Sequence, residues 1–400
     1  MGFKALYLHI PFCRARCAYC DFDTGAYPAR ELDAAAERYL LHLAARMDAF
    51  GATGALADVE TVYIGGGTPS VLGARLPELV RRVTRWCVPS ELTCEANPES
   101  FTDRLAESLA QAGVTRISLG VQSLDDDELR AIGRIHTAQA ALDAIERARR
   151  FGFSASCDLM CGLPGQTPES WGYTLARALE ASPDHVSVYP LQVEAGTLLA
   201  RQVDAGRVRV PDEDAQADAM ELARTRLLGA GLSPYEVASY ARPGHACRHN
   251  IAYWTGKSYL GLGRSAASMM DATLLRSRAL RPLFNLSPAD ACDEGGAYRL
   301  RIKQMDDAGA RFETEELSAR EAMAEDLMLA CRMTAGIPAG LLRRAAGVIP
   351  PGALRRACAR AVSLGLVTAD AGALVPTRLG WLDGNELFEL FWDLADERFS

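Results

Sequence analysis

Apolar residues in this chain fall in short runs separated by longer stretches of helical spacing. Leu6–Ile10, Thr61–Ile64 (TVYI), Glu91–Ala96 (ELTCEA), Thr115–Leu119 (TRISL), Ser154–Met160 (SASCDLM) and His185–Leu191 (HVSVYPL) each read as a buried strand. Between them, Leu32–Phe50, Pro77–Trp86, Phe101–Ala112, Asp126–Arg150 and Pro168–Glu180 carry apolar residues at helical spacing. A strand followed each time by a crossover predicts an α/β fold with a parallel sheet. Six such units rather than eight predict an incomplete, TIM-like (βα)6 barrel, with its site at the C-terminal rim of the strands.

The pattern then changes. Residues 202–231 read as a loop and an amphipathic helix, and 281–300 read as a loop. Ser318 onward holds two or three helices, then Ala353–Leu364 (helix), Leu366–Pro376 (hairpin) and Trp381–Leu394 (helix). This predicts an α+β, winged-helix-like module. The expected division is therefore a partial barrel over 1–230, an extension over 231–310 and the C-terminal module over 311–400. A winged helix often binds DNA, but Asp383–Glu397 is acidic and no basic recognition face is evident, so no nucleic-acid partner is expected.

Composition narrows the class. A net charge of −8, with 49% hydrophobic and 24% charged residues, suits a soluble globular protein. No signal peptide and no run of about 18 apolar residues is visible, which leaves room only for peripheral membrane contact. Eleven cysteines, the first of them clustered, suit a reducing cytoplasm and metal binding rather than a disulfide scaffold.

That cluster is Cys13, Cys17 and Cys20, in the stretch YLHIPFCRARCAYCDF. Three close thiolates suit a soft metal centre, an iron–sulfur cluster being the first candidate and zinc its rival. Three cysteines, where an electron-carrier cluster takes four, leave one iron open to a substrate or cofactor. Cys87, Cys94, Cys157, Cys161, Cys292, Cys331 and Cys358 recur at no compact spacing and read as small apolar residues. Gly65-Gly66-Gly67-Thr68-Pro69 closes the second strand, where glycines let backbone approach a ligand. Glu95 and Asp158 lie late in strands, Gln122 follows one, and Arg134 sits in the loop IGRIH. A carboxylate among apolar strand residues is costly unless it is paired or used.

The C-x-x-x-C-x-x-C spelling resembles the radical S-adenosylmethionine (SAM) superfamily, whose three cysteines bind a 4Fe–4S cluster with SAM on the fourth iron. The words HIPFC, YCDF, GGGTPS, LGVQS and GLPGQT narrow the resemblance to the group of oxygen-independent coproporphyrinogen III oxidases (HemN type) and HemW-type haem chaperones. That resemblance implies the partial barrel, and it implies SAM contacts at Gly66, Gly67, Thr68, Glu95, Gln122, Arg134 and Asp158, with Tyr7 packing beside the cluster. It also implies a C-terminal domain that covers the barrel opening.

A second stretch, PYEVASYARPGHACRHNIAYWTGKSYLGLGRSAAS, resembles the family segment containing HN-x-x-YW, which implicates His249 and Tyr253 in haem binding. Histidine ligates haem and flat aromatics suit a porphyrin face, although a hydrogen-bonded structural His249 is the alternative. Ala267 stands where relatives commonly have histidine. Phe22 occupies the position of a fourth cysteine in the oxidases, and Tyr7 lies almost at the start of the chain. Both departures favour a haem chaperone that delivers haem to haem-requiring proteins. The alternatives are an enzyme that decarboxylates porphyrinogen propionates, or a methyl transferase, either one drawing electrons from a reductant protein.

Overall fold

The computed structural model describes residues 2–271, 274, 277–286 and 298–396. Cys292, Glu397 and much of the stretch expected as a loop over 281–300 lie outside them.

The six expected strands form: β1 (Ala5–Ile10), β2 (Thr61–Gly66), β3 (Glu91–Ala96), β4 (Arg116–Gln122), β5 (Ser154–Cys161) and β6 (His185–Pro190). They pair in chain order, all parallel. Helices follow each: α1 (Ala29–Ala52), α2 (Arg75–Val83), α3 (Asp103–Ala112), α4 (Asp126–Ala131) with α5 (Ala138–Arg150), α6 (Pro168–Glu180), and after β6 α7 (Leu198–Asp204) with α8 (Glu213–Gly229). Burial on both faces explains the near-continuous apolar strands, with Leu6, Leu8, Ile10, Val62, Ile64 and Ile117 all fully buried. Caps fix the helix starts. Thr102, Asp125, Thr137 and Thr167 each accept a first-turn backbone N–H at the heads of α3, α4, α5 and α6.

The sheet does not stop at six. Ser239–Ala241 (β7) pairs antiparallel with β6. On the far edge, Tyr259–Leu262 (β8) pairs parallel with β1. Three antiparallel strands follow outward from it, Ala267–Asp271 (β9), Arg299–Gln304 (β10) and Phe312–Leu317 (β11). The seventh parallel strand was hidden in the motif words YLGLG, where glycines obscure the strand pattern. Ala267 lies exposed at the start of β9, opposite Lys303.

The boundary expected at 310 thus falls within the β10–β11 hairpin of the main sheet. A separate core begins beyond Ser318 and unites α10 (Ala319–Ala330), α11 (Ala339–Ala345), α12 (Pro351–Ser363) and the hairpin β12–β13 (Val367–Asp370 and Ala373–Pro376). Ile337 makes an isolated antiparallel bridge to Leu374 beside the hairpin of this winged-helix-like module. Ion pairs join module to sheet: Arg299 reaches Glu325 at 2.6 Å and Asp326 at 2.7 Å, and Arg301 reaches Glu325 at 3.1 Å. Arg299 and Glu325 are buried, so removing one partner would strand the other's charge. Among the described residues no helix is long and apolar enough to cross a membrane.

Candidate cofactor site at the strand rim

After β1, Pro11 breaks the strand and the cysteine loop leaves the sheet. Backbone bonds pin this loop at both ends. Gly25 N–H donates to Pro11 O and Tyr27 N–H to Cys13 O, both at 3.0 Å. In the middle, Ala18 N–H donates to Ile132 O at 2.9 Å and Leu199 N–H to Ala18 O at 2.8 Å. Ala18 is buried with Ile132, Met160, Leu163, Leu191 and Leu199 in a small apolar cluster beneath the loop. A loop of thiols is held rigid without relying on metal.

The glycine loop after β2 lies against it. Gly67 N–H donates to Ile10 O and Thr68 N–H to Phe12 O, each at 2.8 Å. A Cβ on Gly67 would sit 2.7 Å from Phe12 O, so only glycine permits this approach. Thr68 Oγ1 then lies 3.4 Å from Cys13 Sγ.

All three cysteines line one cavity of about 410 Å³, together with Gly66, Gly67, Thr68, Glu95, Gln122, Arg134 and Asp158. Ten residues drawn from six separate segments thus line one cavity. Gln122 sits at φ 67°, a left-handed conformation rare for a side-chain-bearing residue, where the pairing of β4 with β5 slips between Gly120 and Gln122.

The electrostatics follow from burial. Glu95 accepts from Tyr63 Oη at 2.8 Å and from Gly66 N–H at 3.0 Å. Desolvation nevertheless pushes its carboxyl up to about 7, with Asp158 adding to the rise. Asp158 accepts from Ser118 Oγ at 3.1 Å, and burial raises its carboxyl too. Arg134 Nη2 donates to Asn97 Oδ1 at 2.8 Å and to Gly120 O, while Nη1 points at Cys17 Sγ, 3.5 Å away. Asn97 Nδ2 in turn donates to Thr68 Oγ1 at 3.0 Å. Two carboxyls whose charged form burial disfavours and one fixed cation make a polar rim.

The donor set fits a cluster better than a lone ion. Cys13, Cys17 and Cys20 are unbridged thiols. Thiolates spread around one cavity suit a multi-iron centre, whose cysteines bind separate irons.

Three expected residues stand apart. Tyr7 lies beneath the cavity rather than lining it, stacked on Tyr63 at 6.2 Å, with its hydroxyl 3.0 Å from His9 Nδ1. His249 is 1% exposed on α9 (Arg248–Trp254). Its Nδ1 lies 3.0 Å from Thr61 Oγ1 and its Nε2 lies 2.9 Å from Tyr253 Oη. The expectation that His249 and Tyr253 present themselves to haem is not met in this conformation, because both ring nitrogens are engaged in the barrel wall. Burial holds the imidazole neutral, down to about 3.

Residue patterns alone missed Tyr63, Asn97, Arg116 and Asn250, which also line the cavity. The pair Asn97-Pro98, directly after a strand, was the available signal for one of them. Tyr63 and Arg116 were indistinguishable from ordinary strand residues.

Comparison with known proteins agrees with this geometry. Residues 7–178 match the family model of the radical SAM superfamily, and 317–382 match that of the HemN C-terminal domain. The chain is 32% identical over 394 residues to the haem chaperone HemW of Bacillus subtilis, covering 97% of this chain and 99% of the relative. It is 40% identical over 273 residues to haem chaperone HemW of Mycobacterium tuberculosis, covering 67% and 70%. The structure superposes on coproporphyrinogen III oxidase (HemN) from Escherichia coli with TM-score 0.76 at 20% identity, covering 99% of this chain and 91% of that one, which establishes a shared fold.

Proposed function

The chain belongs to the HemW haem-chaperone family of the radical SAM superfamily, and we propose that it works as such a chaperone, binding a 4Fe–4S cluster, SAM and haem, and passing the haem to proteins that require it. The observation that carries the reading within this group is Phe22. It stands two positions after Cys20, lines the mouth of the rim cavity and is 60% exposed, so no thiol is offered where the oxidases have their fourth cysteine.

Cys13, Cys17 and Cys20 would hold the cluster, leaving one iron for SAM. Gly66, Gly67 and Thr68 would meet the SAM amino group with backbone and hydroxyl. Glu95, Gln122, Arg134 and Asp158 would orient its carboxylate and ribose. A bound cluster with SAM supplies one-electron chemistry, and the protein's part is to orient the ligand and exclude water. Arg134 places its guanidinium beside Cys17, with Nη1 3.5 Å from Sγ. Haem is cargo in this scheme, and haem-requiring proteins are the partners.

The test is an anaerobic incubation of reconstituted protein with SAM, a reductant and coproporphyrinogen III, run beside a haem titration. Stoichiometric haem binding without protoporphyrinogen supports the chaperone. Decarboxylated product over many turnovers would overturn it and make Phe22 compatible with oxidase activity.

A further inference from the structure

A second cavity of about 1280 Å³ opens between the barrel rim and the C-terminal module, about three times the 410 Å³ of the rim cavity. Tyr189, Pro190, Gln192 and Asn250 line both, so the two share a wall. The smaller one is of cofactor size, and SAM with its cluster would leave little room there for a tetrapyrrole.

The helix α9 stands at the boundary, and its two sides face different ways. His249 and Tyr253 turn into the barrel wall, whereas Asn250 and Trp254, also four residues apart, line the larger cavity. Trp254 meets Arg332, whose guanidinium carbon lies 5.2 Å from the Trp254 ring centre and 4.4 Å from that of Phe388. The stack joins barrel to module. Arg332 Nε is buried and makes no hydrogen bond. On another side, Arg224 lies 5.0 Å from the Trp381 ring, which meets Tyr240 edge-on at 6.1 Å.

Carboxylates line the cavity too, but several are engaged. Glu221 pairs with Arg378 at 2.8 Å and Asp212 caps the helix Glu213–Gly229, while Glu213, Asp214, Glu236, Asp383 and Glu386 also line the cavity, the buried Glu236 lying near enough to Arg332 for a propionate there to compete with it. Flat aromatic faces with guanidinium groups between them match a flat apolar ring that carries a few carboxylates at its edge.

We infer that the haem cargo seats in this larger cavity, its ring against Trp254 and a propionate on Arg332, so that the HN-x-x-YW helix contributes Asn250 and Trp254 rather than His249. This rests on the haem-chaperone reading.

The experiment titrates haem into cluster-reconstituted protein and follows the Soret band. Trp254→Ala and Arg332→Gln should each weaken binding at least tenfold, with iron content retained, while Trp254→Phe keeps most of the affinity and guards against misfolding. His249→Gln, which retains a hydrogen-bonding side chain, should bind haem within about twofold of the parent. The dimethyl ester of haem, lacking free propionates, should be indifferent to Arg332→Gln. Parent-like binding by Trp254→Ala and Arg332→Gln, or loss confined to His249→Gln, would overturn the seat and leave the chaperone reading standing. Failure of the parent protein itself to bind haem would remove both.

Discussion

Arg134 Nη1 lies 3.5 Å from Cys17 Sγ, while its Nη2 is tied to Asn97 Oδ1 at 2.8 Å and to Gly120 O. One guanidinium therefore couples a cluster cysteine to the ends of β3 and β4. Arg134→Gln keeps all three thiols, so iron content should stay near that of the parent. Losing a buried charge-assisted hydrogen bond costs roughly 1.5–3 kcal/mol, so SAM affinity should fall about tenfold or more. Equilibrium dialysis with SAM, beside an iron assay, checks both halves.

Cys17→Ala leaves two thiolates at the rim. Iron and sulfide after anaerobic reconstitution should drop to a small fraction of the parent's, while the fold survives because backbone bonds and the Ala18 cluster hold the loop. Parent-level iron would contradict the cluster assignment.

Glu95 gives a pH signature. Burial raises its carboxyl from the ordinary 4.5 or so to about 7 in the folded protein. The folded state therefore holds the proton more tightly than the unfolded one, and this contribution is full below about 4.5 and lost as pH rises through about 7. Glu95→Gln removes the dependence. In cluster-free protein without SAM, the variant should gain thermal stability relative to the parent between pH 5 and pH 8, by up to about 3 kcal/mol. Parallel melting curves across that range would refute it.

Gly67→Ala forces a Cβ to within 2.7 Å of Phe12 O and 3.0 Å of Ile10 O. Both are backbone atoms that cannot swing aside. A loss of about 1–3 kcal/mol in denaturant unfolding is expected, with weakened SAM binding, because the loops must separate.

His249→Ala should behave as a core mutation. It strands the hydroxyls of Thr61 and Tyr253 in the interior and leaves a void, for a cost of about 2–4 kcal/mol. Because burial holds the imidazole down to about 3, the parent itself should lose stability as pH falls from about 6.5 toward that value, as the unfolded chain takes up the proton first. In His249→Ala this part of the acid dependence should vanish.

Much of this site could be read in advance. The cysteine spacing, the glycine loop, three polar residues at strand ends and Arg134 from the loop after α4 all meet in one cavity, because in a parallel βα array every strand's C-terminal end reaches the same rim. What could not be read was direction. His249 and Trp254 occur in one short motif, yet their side chains go to opposite sides of α9, one into the wall and one into the larger cavity.

The sequence by itself determined the local facts: which runs bury, that strands alternate with helices, that three thiols share a loop, and that Phe22 takes the place of a fourth. Each follows from residue type and near-neighbour spacing. The tertiary structure alone decided the rest. It placed YLGL beside β1 as a seventh parallel strand, made Asn97 the link between Arg134 and Thr68, lifted Glu95 toward neutrality and brought Arg332 between Trp254 and Phe388. Those relations join residues tens to hundreds of positions apart, and only packing, through burial and contact, sets them.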